Sequence, residues 1–362
     1  MIIQLPQELV EEIIDHLADD FLALKACSLV SKAWVRRCRS YLFESCTLRT
    51  ENHGDPANVL TFRDLLRSPG CTFRPHVRTL HSVRYSWDPN DGHFEEIAAD
   101  LRCLTSVVKL VMDAAVDDAT ASALIGAEFF RCIPQVTHLV LDYYFMGERP
   151  VPLIDVICLF PALQQLEIFT MAGNWAVPPL GVLPPKDLHT LVLRGISPPR
   201  VLAWLLAYNH LPNVDSLTLD RRLSPADVST VRVALDRIGG ALHHLDIDLG
   251  GLSEVFDFSL HRNLRTLVIH SRDMAPNQMM VLVDSLAGLP LERLTFDIDL
   301  ESFRTFDWGP LDESVARFPL LHSVEFRYTT ADEHEFLQQG LPWLEGSGRL
   351  QLKDVVGYVH LA

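Results

Sequence analysis

A short apolar pattern recurs along most of this 362-residue chain. Clear copies of the pattern, apolar-x-x-apolar-x-apolar, read VTHLVL, LQQLEI, LHTLVL, VDSLTL, LHHLDI, LRTLVI, LERLTF and LHSVEF. One central apolar residue per copy gives a series with steps of 22 to 30 residues, about 27 on average: Leu80, Leu110, Leu139, Leu166, Leu191, Leu217, Leu245, Leu267, Leu294, Val324 and Leu350. A unit of this length cannot bury its own apolar face, so the repeat predicts stacked copies of one small structure.

Each unit combines the signals of one strand and one helix. The strict alternation in the apolar pattern is typical of a short strand. Between strands, helix starts are indicated by Ser197-Pro198, by Ser224-Pro225 and by Thr330 with Glu333, and Gly239 is suited to a helix end. We therefore predict an α/β chain whose strands form a curved parallel sheet, in about 10–11 units from residue 76 to residue 362.

The spacing and the LxxLxL core resemble leucine-rich repeats over about 270 residues. That family has an Asn or Cys three positions after the last core residue, which binds backbone groups at the turn. Here those positions hold other residues, in order Tyr144, Met171, Ile196, Arg222, Gly250 and Arg272. The resemblance implies an irregular solenoid, in which each turn satisfies its backbone groups in its own way.

The first 45 or so residues differ from the repeats and have three helical segments. Pro6 fits the first helical position, and Leu9 and Ile13 then lie on one stripe of the helix. Asp19 or Asp20 is suited to cap a second helix, and Ser31 a third helix that contains Trp34. Three helices of this length form a very small core. We expect part of their apolar surface to contact a second protein.

These residues also resemble a known module. The sequence "LPQEL" followed by "CSLVSKAW" is similar to an F-box, through which substrate receptors dock on a Skp-type adaptor of cullin ubiquitin ligases. The resemblance covers residues 4 to about 48 and implies adaptor contacts at Leu5, Pro6, Leu9, Ile13, Val30 and Trp34. The alternative is that the helices only cap the end of the repeats, where a solenoid needs a polar end-piece. Trp34 fits either interpretation.

A substrate surface is expected on the strand residues that alternate with the buried core. Those positions mix apolar and acidic residues, which suits a basic segment of a partner. The hypothesis assigns substrate contacts to Asp220, Asp246 and Asp248, and the alternative is that they are simply solvated. Trp175 lies in the Pro- and Gly-rich segment 173–187 and is either a recognition tip or a lid over the core.

Composition and motif searches exclude several function classes. The formal net charge of -16 opposes nucleic-acid binding, and no apolar run is long enough to cross a membrane. The seven cysteines form no CxxC pair, so neither disulfides nor a zinc site is expected. Without a secretory signal pattern we expect a cytoplasmic or nuclear protein. No nucleophile elbow, phosphate loop, dinucleotide fingerprint or HExxH motif occurs, so we expect no catalytic residues, metal or cofactor.

Together these patterns predict an F-box at residues 1–48, a linker with a short helix at 49–75, and a leucine-rich-repeat-like solenoid at 76–362. The function predicted from the resemblance is a non-catalytic substrate receptor, which binds a Skp-type adaptor, through it a cullin, and an unknown protein substrate. An intracellular protein-binding scaffold is the alternative. An enzyme of unrecognised type on the repeat surface is a third hypothesis.

Overall fold

In the computed structural model the chain is described at residues 6–49, 57–85, 93–116, 128–145, 150, 152–172, 176, 181–195, 197–220, 225–249, 257–271, 273–328 and 330–354. The chain divides into two compact units, Met1–Asp187 and Leu188–Ala362. In each unit the strands are parallel and follow one another in chain order. The predicted α/β class with a parallel sheet is confirmed.

The first unit begins with helices and continues as alternating strands and helices. Its helices are α1 (Gln7–Asp15), α2 (Phe21–Val30), α3 (Lys32–Leu42), α4 (Ala57–Arg67), α5 (His93–Leu101), α6 (Glu128–Arg131) and α7 (Leu153–Ile157). Its strands are β1 (Ser45–Arg49), β2 (Thr79–Tyr85), β3 (Lys109–Val116), β4 (His138–Phe145) and β5 (Gln165–Ala172). A 3-10 turn spans Arg74–His76.

The second unit repeats a strand and a helical segment throughout. Its strands are β6 (Thr190–Gly195), β7 (Ser216–Asp220), β8 (His244–Asp248), β9 (Thr266–Ser271), β10 (Arg293–Ile298), β11 (Ser323–Tyr328) and β12 (Leu350–Asp354). Its α-helices are α8 (Pro198–Ala207), α9 (Pro225–Ile238), α10 (Pro276–Ser285), α11 (Gly309–Ala316), α12 (Ala331–Gly340) and α13 (Pro342–Gly346). The 3-10 turns are Leu211–Asn213, Gly239–Ala241, Phe258–Leu260 and Leu300–Phe303.

The central residues of the repeat pair with one another across neighbouring strands, as predicted. In the first unit Leu80 is opposite Leu110, and the row continues through Leu139 to Leu166. In the second unit one row runs from Leu191 to Leu350. All of these side chains except Leu350 are buried. The sheet begins with one more strand than the pattern predicts, since β1 pairs with β2 and places Cys46 opposite Leu80.

Polar side chains satisfy the backbone between strands, each with a different geometry. Nε2 of the buried His210 donates to the carbonyl oxygen of Leu188 at 2.8 Å, and Nδ1 of the buried His261 donates to that of Gly239 at 2.9 Å. Asn263 reaches Gly240 at 2.6 Å, and Gln135 reaches Leu104 at 2.9 Å. At these four positions each backbone carbonyl has its own side-chain partner.

Several helices begin at the capping residues that the sequence predicts. Asp20 accepts from the Ala23 N–H at 2.9 Å and caps α2, and Ser31 accepts from the Ala33 N–H and caps α3. Thr330 and Glu333 form the predicted capping box of α12. Pro6 lies one position before α1, as its N-cap. Ser197 differs, because its hydroxyl donates back to the Arg194 carbonyl at 2.8 Å.

A buried carboxylate joins two helices of the second unit. Asp312 on α11 is only 4% exposed and accepts two backbone N–H groups at the start of α13, from Trp343 at 2.7 Å and from Leu344 at 3.1 Å. Since helix N-termini have unsatisfied N–H groups, the carboxylate completes the hydrogen bonding of α13 and fixes it against α11.

We expect Asp312→Ala to lower the free energy of unfolding by about 1–3 kcal/mol, because the buried N–H of Leu344 and the part-buried N–H of Trp343 lose their acceptor. Urea denaturation would measure the change. Glu313→Ala, one position along the same helix and exposed, is the matched control and should have little effect. Equal stability of the two variants would contradict this role of Asp312.

Candidate functional site

The three N-terminal helices share a very small core. Its buried members are Val10 and Ile14 from α1, Leu24 from α2 and Cys38 from α3. Half-buried side chains pack around this core, namely Leu17, Cys27, Trp34, Tyr41 and Leu42. The core takes only part of the apolar surface of these helices.

The remaining apolar side chains of α1 and α2 are exposed. We call them the exposed apolar set, with these exposed fractions: Leu9 46%, Ile13 52%, Phe21 58%, Leu22 77%, Leu29 85% and Val30 68%. Leu9 and Ile13 are one turn apart on α1, whereas the other four occupy the two ends of α2. Single exposed apolar residues are normal in soluble proteins, but six between Leu9 and Val30 make the exposed surface of α1 and α2 unusually apolar.

A polar contact holds α1 against α3. The Arg37 guanidinium donates to both carboxylate oxygens of Asp15 at 2.5 Å, and the Tyr41 hydroxyl donates to Asp15 Oδ1 at 2.9 Å. The hydrogen bond from Arg37 lowers the pKa of Asp15, and the same bond raises the pKa of Arg37. This two-pronged geometry fixes the orientation of α1 and hence the direction in which Leu9 and Ile13 face.

The predicted adaptor contacts fall into three groups in the structure. Pro6, Leu9, Ile13 and Val30 are exposed. Trp34 is half-buried against the small core, and Leu5 lies outside the described residues. The predicted list omits Phe21, Leu22 and Leu29. Their signal in the sequence is that α2, FLALKACSLV, is apolar on every side, and only Leu24 of the helix is buried.

A polar network crosses the outward face of the sheet in the second unit. On β9, His270 contacts Asp246 of β8 through Nε2 at 2.8 Å and Asp297 of β10 through Nδ1 at 2.9 Å. Arg327 of β11 donates to Asp297 at 3.2 Å and to Glu325 at 3.3 Å. Four neighbouring strands are therefore joined by alternating positive and negative side chains.

The charges of this network are set by its geometry. Burial by itself lowers the pKa of His270, but hydrogen bonds to Asp246 and Asp297 outweigh burial and raise it to about 9. The bond from His270 in turn lowers the pKa of Asp297. His270 is therefore a cation at neutral pH, fixed between two carboxylates.

The predicted substrate residues lie in different environments, and two of them have side chains outside the described residues. Asp246 is bound by His270 and so is partly neutralised. Asp248 is half-buried on the outward side of β8. Asp220 ends β7 opposite Arg194, with its side chain outside the described residues, as is the whole of Trp175.

A second acidic position is found on the outward face of the first unit. Asp113 of β3 and Asp142 of β4 are direct partners in the parallel register. Burial and then the charge of Asp113 raise the pKa of Asp142. Phe169 of β5 is the next residue in the same row. The outward face thus presents acids in both units, with an aromatic neighbour in the first.

Comparison of the chain with models of known protein families gives no match, and comparison with curated proteins gives none either. Among the described residues, no helix is long and apolar enough to cross a membrane. The same residues contain no group of three or more His, Cys, Asp or Glu side chains that could hold a metal ion. The seven cysteines all lie among the described residues, and none of them forms a disulfide.

The raised pKa of His270 predicts a stability that depends on pH. The contribution of His270 should be fully present below pH 6.5, where the unfolded state also binds the proton, and should be lost as pH rises through about 9. A pKa raised from 6.5 to about 9 corresponds to roughly 3 kcal/mol.

Urea denaturation of the wild type and of His270→Gln at a series of pH values would measure this loss. The variant should lack the decrease across that pH range. His322→Gln is the matched control, because His322 is exposed, and its curve should follow the wild type. Parallel curves for all three proteins would rule out a protonated His270.

Proposed function

We propose that this chain is a non-catalytic substrate receptor of a cullin-type ubiquitin ligase, built as an F-box followed by a leucine-rich-repeat-like solenoid. The observation that supports it most is the exposed apolar set on α1 and α2, the helices that resemble an F-box. Leu9, Ile13 and Val30 are exposed although they are large and apolar, which is what docking on a Skp-type adaptor requires. Parallel strands whose central residues pair with one another fit the repeat part of the proposal.

In this proposal the function is positional. The receptor holds a protein substrate on its repeats and, through the adaptor and cullin, brings a substrate lysine near a ubiquitin carrier. The gain is an increased effective concentration of the reacting groups, with no catalytic residue in the receptor itself. Asp220, Asp246 and Asp248 would face the substrate, and a basic segment is the type of partner that these acids favour.

A second candidate function is a protein-binding scaffold whose N-terminal helices only cap the sheet. The connection after α3 favours it. The ring of Phe43 stacks on Phe73 with centroids 4.8 Å apart, and β1 follows within two residues and pairs with β2. The helices are therefore fastened to the first strands, as a cap would be. The scaffold leaves the exposed apolar set without a role.

The double variant Leu9→Glu/Ile13→Glu should bind a purified Skp-type adaptor at least 100-fold more weakly than the wild type. Both side chains are exposed on one face of α1, and each truncated anchor at an interface centre costs roughly 2 kcal/mol, a factor of about 30. Biolayer interferometry with the full chain would measure the affinity.

Val233→Glu/Val281→Glu is the matched control. These two residues are also exposed on helices, α9 and α10, but in the second unit. This control should bind the adaptor with wild-type affinity. If the wild type does not bind the adaptor at all, the scaffold is the better interpretation. If it binds and both double variants bind equally well, docking does not use α1.

A further inference from the structure

Basic side chains gather where α3 meets the turn before β2. We call Lys32, Arg36, Arg39 and Arg78 the basic stripe, and His76 lies among them. The spacing of four and then three residues places the first three on one face of α3. Arg78 lies immediately before β2, and the turn Arg74–His76 contacts α3.

The contacts around His76 show that these groups are close together. A guanidinium nitrogen of Arg39 donates to the Thr72 hydroxyl, which ties α3 to the segment that leads to His76. Burial first, and then the charges of Arg36, Arg39 and Arg78, lower the pKa of His76. His76 is therefore neutral at pH 7, and the positive charge resides on the stripe.

No acid of the described residues neutralises the stripe. In the part of the chain that the structure describes, Lys32, Arg36, Arg39 and Arg78 form no ion pair. The backbone carbonyl oxygen of Glu44 accepts the Arg78 N–H at 2.8 Å, but among the described residues the Glu44 carboxylate forms no ion pair with the stripe.

Several arginines of the first unit are matched with acids. Arg37, on another side of α3, is bound to Asp15, and Arg67 of α4 is bound to Asp100 of α5 at 2.9 Å. The whole chain has 47 acidic residues and 31 Lys and Arg residues, so acids are in excess. Four neighbouring cations that form no ion pair with a described acid repel one another, and an anion would relieve that repulsion.

We propose that the basic stripe binds a carboxylate-rich segment of the protein that docks on the exposed apolar set. The stripe runs from Lys32 to Arg39, which is about 10 Å along the helix and is wider than one phosphate group. Lys32 follows Val30 of the exposed apolar set by two residues, so one partner can contact both. The inference rests on the proposed function only for the identity of that partner.

Fluorescence anisotropy of the full chain with a labelled decapeptide of glutamate tests the inference directly. We expect binding at about 25 mM NaCl that weakens strongly at about 300 mM, since exposed charges are screened.

Arg36→Glu/Arg78→Glu should weaken binding at least tenfold. Arg262→Glu/Arg317→Glu changes the charge equally at two exposed arginines of the second unit and should bind like the wild type. Near-ultraviolet circular dichroism would check that each variant is folded, and Arg36→Gln/Arg78→Gln is the milder replacement.

Three results would overturn the inference. The first is a wild type that does not bind the decapeptide, and the second is equal binding by both charge-reversed variants. The third is a preference for phosphate groups. It would be seen as displacement of the peptide by about 5 mM inorganic phosphate, or as tighter binding of a single-stranded oligonucleotide through the same arginines. Adaptor docking and peptide binding by the basic stripe can be tested separately. If Leu9→Glu/Ile13→Glu loses adaptor binding but still binds the decapeptide, the two sites act independently, so either proposal can fail without the other.

Discussion

The parallel pairing of one buried leucine with the next is the constraint on which each unit depends. A strand shifted by one residue would turn its leucines outward and its polar residues inward, so every unit has to return to the same register. From Leu245 to Leu267 the chain takes 22 residues, and the described part of the connection contains only a short 3-10 turn. From Leu217 to Leu245 it takes 28 residues and contains the long helix α9. In this comparison the segment between the strands accounts for the difference in length.

The strands were predictable because burial on one side leaves a strict alternation in the sequence. The first strand was not, because β1 reads SCTLR and has a cysteine where the other strands have a leucine or valine. The hydrogen bonds of His210 and His261 were also not predictable. The sequence indicates that backbone groups at the turns need partners, but not which side chains supply them. A histidine seven residues before the central Leu217 and another six before Leu267 do not form a constant motif.

The candidate site was predictable in part for the same physical reason. The spacing of Leu9 and Ile13 places them on one stripe of α1, next to the stripe of the buried Val10 and Ile14. Their role as contacts is what the F-box resemblance implies. The apolar helix α2 has no such contrast, and periodicity cannot decide that Leu24 is buried and Leu29 is exposed. The network around His270 depends on residues 24 and 27 positions away, which only the strand register brings together. In the same way, whether Arg36 has an acidic partner depends on its tertiary environment.

The hydrogen bonds of Asp15 with Arg37 and Tyr41 have a consequence for how this molecule meets another. A helix that becomes ordered only in a complex loses conformational entropy on binding, and this loss lowers the affinity. Association is then also limited by the formation of the helix. Here the first helix is already anchored by two side chains of the third. If a protein docks on this helix as we propose, the helix is already formed, and the binding free energy does not have to include the cost of ordering it.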